Sequence, residues 1–210
     1  MKFEQIPLAV IGISHKTASV EIRENVALSG AEQIDILKMF VADENTQGAI
    51  VLSTCNRTEI YVSSEHVDAS LSLIRHWFHH KKAIDYFASD YAYIHSGHDA
   101  LLHFFRVISS LDSQIVGETQ ITGQVKDAYT QALELKATDS LLNKIFNFAI
   151  QAQKKVRNDT YVCQGAGSIS FAGVELAEKR FTDLQDRTVL LIGAGETAEL
   201  CKKKKKKKGV

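Results

Sequence analysis

The sequence predicts an α/β chain in two parts. Residues 1–158 read as an α+β domain with a small sheet and helices, and residues 159–210 as a linking helix and the opening of a second unit. Three observations predict this. Short β-prone runs alternate with amphipathic stretches over the first 80 residues. From Ser96 to Arg157 the apolar residues recur at helical spacing. A β-prone run, Thr188 to Ile192, ends on a glycine-rich turn, the opening of a parallel strand–helix unit. With 210 residues and 45% apolar content, the chain can build well-buried cores.

Leu8 to Ile13 reads as the first strand. Ser29-Gly30-Ala31-Glu32 has capping-box spacing, in which the hydroxyl and the carboxylate each satisfy a backbone N–H at a helix start. Ile34, Leu37, Phe40 and Val41 then give an apolar stripe, so a helix runs to about Ala42. Gly48–Leu52 and Ile60–Val62 are β-prone, while Ser53 to Thr58 are all small or polar, which predicts a hairpin with Cys55 near its turn. A helix from about Asp68 carries Leu71, Ile74, Trp77 and Phe78 on one face. This order predicts helices on one face of the sheet.

Beyond the hairpin domain the pattern is helical. Ser96-Gly97-His98-Asp99 caps a helix whose expected buried face is Leu101, Leu102, Phe105, Ile108 and Leu111. Thr119 to Leu135 is the next helix, with Ile121, Val125, Ala128 and Ala132 apolar and Gln120, Gln124 and Asp127 polar. Ser140 to Arg157 follows, with Leu141, Leu142, Ile145, Phe148 and Ala152 inward. Gln164-Gly165-Ala166-Gly167-Ser168 is a hinge-like break before a helix that includes Glu175 to Phe181. The seven lysines Lys202 to Lys208 stand where a helix is expected and carry no assigned function.

Composition excludes several classes. No run approaches the ~20 apolar residues that span a bilayer, and Ile6 to Ile13 lacks the basic flank and cleavage site of a leader. Cys55, Cys163 and Cys201 are odd in number and far apart, which argues against a disulfide framework and for a reduced, cytoplasmic enzyme. The formal charge is zero, but setting aside Lys202–Lys208 leaves 18 basic against 25 acidic residues, a net −7. No basic stripe announces phosphate binding.

Cys55 is the sharpest chemical signal. A polar turn with Asn56 beside it and the Arg57 guanidinium two residues on favours a reactive thiolate over an inert packed thiol. Eight histidines are scattered, and no cysteine or carboxylate pattern completes a zinc site around His95, His98 and His103, so no metal is expected. His103 stands out inside an apolar helix, on a line with Val107, Ser110 and Gln114; a satisfied core histidine is the competing reading. Gly193-x-Gly195-x-x-Ala198 after a strand is a dinucleotide signal, with the pyrophosphate on a helix N-terminus.

Four ordered motifs carry a family resemblance. Ser53-Thr54-Cys55-Asn56-Arg57-Thr58-Glu59 resembles the active-site turn of the glutamyl-tRNA reductases, and Gly12-Ile13-Ser14-His15-Lys16-Thr17-Ala18 is similar to their first strand and loop. Leu111 to Ile121, extended by Gly123-Gln124-Val125-Lys126, is similar to their longest signature, and Gly193 to Thr197 to their dinucleotide turn.

The resemblance implies that Cys55 attacks the ester joining glutamate to tRNA. NADPH then reduces the thioester to glutamate-1-semialdehyde, the first step of tetrapyrrole (porphyrin) biosynthesis. It implies a catalytic role for His103. It implies substrate contacts from Thr54, Cys55, Asn56, Arg57, Ser113, Glu118, Thr119, Gln120 and Gln124. By residue type, Arg57 suits the substrate's side-chain carboxylate and Glu118 its α-ammonium. The cofactor contacts would be Gly193, Ala194, Gly195, Glu196, Thr197 and Ala198 in a Rossmann-like unit.

The implied partners are glutamyl-tRNA, the downstream aminomutase and a second copy of the chain, held through a C-terminal region this sequence does not include; no membrane is implied. Two positions depart from the pattern, Ser19 where proline is usual and Ser110 where glycine is usual. A non-reducing binding module and a thiol esterase acting on glutamyl-tRNA are the alternative readings.

Overall fold

The computed structural model describes residues 6–162 and, beyond them, 173, 176, 177, 179–181, 188, 190 and 192. Its sheet has four strands, β1 (Leu8–Ser14), β2 (Gly48–Ser53), β3 (Arg57–Ser63) and β4 (Tyr93–Ser96), in the order β2-β3-β1-β4. All three pairings are antiparallel: Ile11 faces Ile60 in β3 and Ile94 in β4, and Val51 faces Ile60 across the hairpin. β1 and β2 therefore run the same way with β3 between them. With the helices included, this is the β-α-β-β-α-β split arrangement of ferredoxin-like domains.

Six α-helices lie within residues 6–162: α1 (Val20–Val26), α2 (Gly30–Val41), α3 (Val67–Lys82), α4 (Gly97–Ile108), α5 (Gln120–Glu134) and α6 (Ser140–Asp159). The Ser29 capping box forms as the spacing requires, with Ser29 N–H donating to Glu32 Oε2 at 2.7 Å and Glu32 N–H donating to Ser29 Oγ at 3.3 Å. Asp139 caps α6 by accepting from Leu142 N–H at 2.8 Å.

The expectation of helices on one sheet face is corrected. Every residue of β1 and β3 is buried, so both faces are covered. Tyr61 meets Phe104 of α4 edge-on at 4.9 Å on one face, and α3 packs on β1 and β3. α2 and α5 both pack on β2, whose outer edge is closed by Ala49 N–H donating to Ala137 O at 2.6 Å. β4, α1 and the short 3-10 helix Tyr86–Ala88 were not read from sequence. β4 is only four residues long, and α1 is a seven-residue helix that buries Val26 alone.

The buried stripes also move. α2 buries Ile36, Leu37 and Phe40 while Val41 is exposed, and α4 buries Ala100, Phe104, Val107 and Ile108 while Leu102 and Leu111 are exposed. α6 buries Leu142, Ile145, Phe146 and Ala149, leaving Phe148 outside. These helices carry apolar residues on more than one side, and periodicity alone does not choose among them. The small residues Ala100 and Ala149 are fully buried, on two helices that pack together.

In the second part, residues 173, 176, 177, 179 and 180 are helical, and Phe181 N–H donates to Ala177 O at 2.8 Å, in line with the helix expected over Glu175 to Phe181. Thr188, Leu190 and Ile192 were expected in a buried strand; they are exposed and lie outside any strand. A strand needs a neighbouring ladder, and none stands beside them among the described residues. Gly193 to Ala198 and Lys202 to Lys208 lie outside the described residues.

Gly12 is where the fold tolerates no side chain. It sits opposite both Glu59 and Tyr93, and a Cβ there would fall 2.7 Å from the Tyr93 ring and hydroxyl and 2.8 Å from Glu59 Cγ. Gly12→Ala should therefore destabilise the chain by ~1–3 kcal/mol, the usual range for forced overpacking. Thermal melting checks this, and an unchanged midpoint would contradict the close approach.

Candidate active site

The β2–β3 hairpin is tight. β2 ends at Ser53 and β3 opens at Arg57, so the loop between the strands is only Thr54, Cys55 and Asn56, shorter than the polar run Ser53 to Thr58. The Thr54 side chain builds it, accepting from Asn56 N–H and Arg57 N–H at 3.2 Å each, while Thr54 N–H donates to Arg57 O at 2.8 Å. Cys55 stands at the tip as an exposed free thiol. Two neighbours pin it: His15 N–H donates to Asn56 O at 2.9 Å, and Arg23 of α1 reaches Cys55 O at 3.4 Å and Ala18 O at 2.9 Å.

Arg57 is not a turn residue. It opens β3 and is 2% exposed. Its Nη1 donates to Glu59 Oε1 at 2.7 Å, and its Nη2 donates to Asp112 O at 2.5 Å and Oδ1 at 3.1 Å. The sequence places its guanidinium in a turn beside Cys55; in the structure two carboxylates, Glu59 and Asp112, take up its charge. The cation that contacts the Cys55 residue itself is Arg23, which sequence reasoning passed over because α1 was not seen.

Glu59 is the centre of the cluster. It is fully buried and accepts from Arg57, from Tyr61 OH at 2.5 Å, from the Tyr93 hydroxyl and from His103 Nε2 at 2.8 Å. Burial pushes its carboxyl up, but the opposing pull of Arg57, then of His103 and Tyr61, prevails and brings it down to about 2. Burial and the Glu59 charge together push the Tyr61 and Tyr93 phenols well up. Asp112 is held below its ordinary value: burial raises it, but hydrogen bonds from Lys16 and Arg57 outweigh this. His15 is lowered by burial and then by Arg57, and its Nδ1 is buried with no hydrogen-bond partner among the described residues.

The segment after α4 closes over this cluster. Ser110 turns the chain with φ 59°, the left-handed region that favours glycine, which accounts for glycine being usual at this position. Its carbonyl accepts from Gly117 N–H at 3.0 Å and its hydroxyl donates to Glu118 O. The helical line expected from His103 to Gln114 is thereby broken, since α4 ends at Ile108. Ser19, the other departure, has φ −63°, the value proline would fix.

Between the hairpin and this segment lies a cavity of about 310 Å³. Of the expected substrate residues, Thr54, Cys55, Asn56, Arg57, Ser113, Glu118, Gln120 and Gln124 line it. Thr119 and His103 are not among its lining; His103 meets Arg57 only through Glu59. Gln114, Ile115 and Ile121 also line it and were missed, although they sit inside the motif that supplied their neighbours. Glu59, Asp112 and Lys16 sit inside the motifs that carry the resemblance but were not singled out, and Tyr93 has no local signal. Among the described residues no group of three or more His, Cys, Asp or Glu is placed to hold a metal, and no helix is long and apolar enough to cross a membrane.

Removing one partner of a buried ion pair leaves an uncompensated charge, so Arg57→Ala should cost ~3–5 kcal/mol of stability. Glu59 has its folded value below the ordinary 4.5, so its contribution is complete above that pH and is lost as pH falls towards about 2. Glu59→Gln should melt lower at pH 7 and show a shallower loss of midpoint across pH 4.5 to 2 than the wild type. Parallel profiles for the two proteins would contradict the assignment.

The family model described as "Glutamyl-tRNAGlu reductase, N-terminal domain" matches residues 11–160. The chain is 42% identical over 198 residues to the glutamyl-tRNA reductase of Geobacter sulfurreducens, covering 93% of this chain and 45% of that protein. It is 41% identical over 202 residues to that of Pseudomonas putida, covering 95% and 47%. The solved glutamyl-tRNA reductase from Methanopyrus kandleri superposes with a TM-score of 0.68 at 36% identity, over 98% of this chain and 48% of that one. The chain thus spans about half the length of the curated relatives it matches. By this match over most of its length, the chain belongs to the glutamyl-tRNA reductase family.

Proposed function

We propose that this chain carries the acyl-transfer half of a glutamyl-tRNA reductase. The observation that carries the reading is the exposed Cys55 thiol at the tip of a pinned three-residue turn, lining a cavity whose wall also includes Arg57 and Glu118. The Cys55 thiolate attacks the carbonyl carbon of the ester between glutamate and tRNA. A C–S bond forms, the C–O bond to the ribose breaks, and the ribose oxygen takes a proton from solvent. Glu118 accepts from the substrate's α-ammonium. Arg57 has five N–H donors, and those not given to Glu59 and Asp112 serve the side-chain carboxylate. His103 acts as a positioning residue, holding Glu59 and through it Arg57.

In the whole enzyme NADPH would supply the hydride that converts the thioester to glutamate-1-semialdehyde, held by Gly193, Ala194, Gly195, Glu196, Thr197 and Ala198. This part rests on the sequence resemblance, as does the division into a first domain over 1–158 and a nucleotide domain from 159. The proposed setting is the cytoplasm, with glutamyl-tRNA as substrate, the aminomutase as consumer of the product, and a homodimer of the whole protein. The exposure of Cys55 favours one further behaviour: without hydride, water reaches the thioester and releases glutamate.

Incubating the chain with radiolabelled glutamyl-tRNA and quenching in acid should trap label on the protein in a form that hydroxylamine removes. Cys55→Ser should reduce that label at least 100-fold, as loss of a nucleophile requires. Label persisting in Cys55→Ser would overturn the reading.

A further inference from the structure

A second cavity, of about 230 Å³, lies beside the first between α2, β2 and α5. The two are neighbours by construction. Gln124 lines both, and Ser53 of the second directly precedes Thr54 of the first. α5 supplies the common wall: Gln120 and Gln124 face the first cavity, and Gln124, Asp127 and Gln131 the second, a single polar stripe at helical spacing. One helical turn, about 5.4 Å, carries the wall from one cavity into the next.

The chemistry of the second cavity is specific. Its polar groups are the carboxamides of Gln33, Gln124 and Gln131, the Asp127 carboxylate and the Ser53 hydroxyl, with Leu52 and Ala128 as apolar surface. No lysine or arginine lines it, so a phosphate cluster finds no counter-charge. Carboxamides suit an uncharged, hydrogen-bonding, flat group. A glutamine can pair with adenine at N6 and N7, and a carboxylate accepts from the adenine N6 amino group while repelling the O6 of guanine or hypoxanthine.

We propose that this cavity holds the 3′-terminal adenosine of the tRNA, its ribose passing Gln124 and its base meeting Asp127 and Gln131. The inference rests on the glutamyl-transfer reading above and extends it. A glutamyl ester seated at Cys55 carries its nucleoside one ribose away, and α5 offers a polar cleft without basic residues one helical turn along its wall. The single 5′ phosphate of that nucleotide then points out of the cleft towards the rest of the tRNA.

The test compares acylation of Cys55 by three donors: 3′-O-glutamyl-adenosine, 3′-O-glutamyl-inosine and glutamate α-ethyl ester. The wild-type chain should prefer the adenosine ester to the inosine ester about tenfold, the scale of one misplaced base contact. The double variant Asp127→Ala/Gln131→Ala should lose that preference and lower the adenosine-to-ethyl ratio by about tenfold. Both side chains lie on the outer part of α5, and melting confirms that the variant folds. If the wild type takes all three donors equally, or the variant keeps the adenine preference, the nucleoside site is overturned while the acyl-transfer reading stands. If none of the three donors acylates the wild type, both are overturned.

Discussion

One buried carboxylate sets the conditions for everything near Cys55. Glu59 accepts from donors on three separate elements, Arg57 and Tyr61 on β3, Tyr93 on β4 and His103 on α4. A lone carboxylate in that position would be protonated or expelled, because burial opposes its charge. Four donors hold it ionised, and each is fixed in turn. The tight approach of Gly12 to Glu59 and Tyr93 shows how little room the centre of the sheet leaves. The cluster costs desolvation and is weak support for stability as such. Its effect is geometric, since it ties the edge strand β4 and helix α4 to the hairpin strand.

Arg57 carries that order outward. It joins Glu59 below to the backbone and side chain of Asp112 above, and Lys16 closes the far side of Asp112. The segment bearing Ser113 and Glu118 is thereby fastened over the Cys55 turn, forming a cavity from pieces about sixty residues apart in the chain. The turn itself has little freedom, with Thr54 satisfying its amides from within and His15 and Arg23 binding its carbonyls from outside. A nucleophile so placed meets its substrate with little reorganisation, the arrangement that positional catalysis requires.

Much of this was legible in the sequence, and the failures have a common cause. The Ser29 capping box, the α3 stripe of Leu71, Ile74, Trp77 and Phe78, and the placement of Cys55 in a hairpin turn depend on local chemistry, and the structure shows all three. Arg57 was placed in the polar turn, and Glu59 was given no role, because polar residues beside a turn usually face solvent. Their period-2 alignment with Tyr61 and Ser63 puts them on one buried face of β3, a placement that needs Asp112, Tyr93 and His103 to satisfy it. Those partners lie 34 to 55 residues away, beyond any pattern along the chain. β4 was missed for the same reason: four half-exposed residues become a strand only because β1 is there to pair with.

The central claim is that Glu59 is an ionised, fully buried acceptor, and it can be measured directly. Glutamate carrying ¹³C at its side-chain carboxyl would give a resonance for Glu59, assigned by its loss in Glu59→Gln, that can be followed as pH is lowered. The account predicts that this carboxyl stays ionised well below the other glutamates and titrates near 2. Titration at the ordinary 4.5 or above would contradict it, and with it the view that this carboxylate holds Arg57 and the cavity in place.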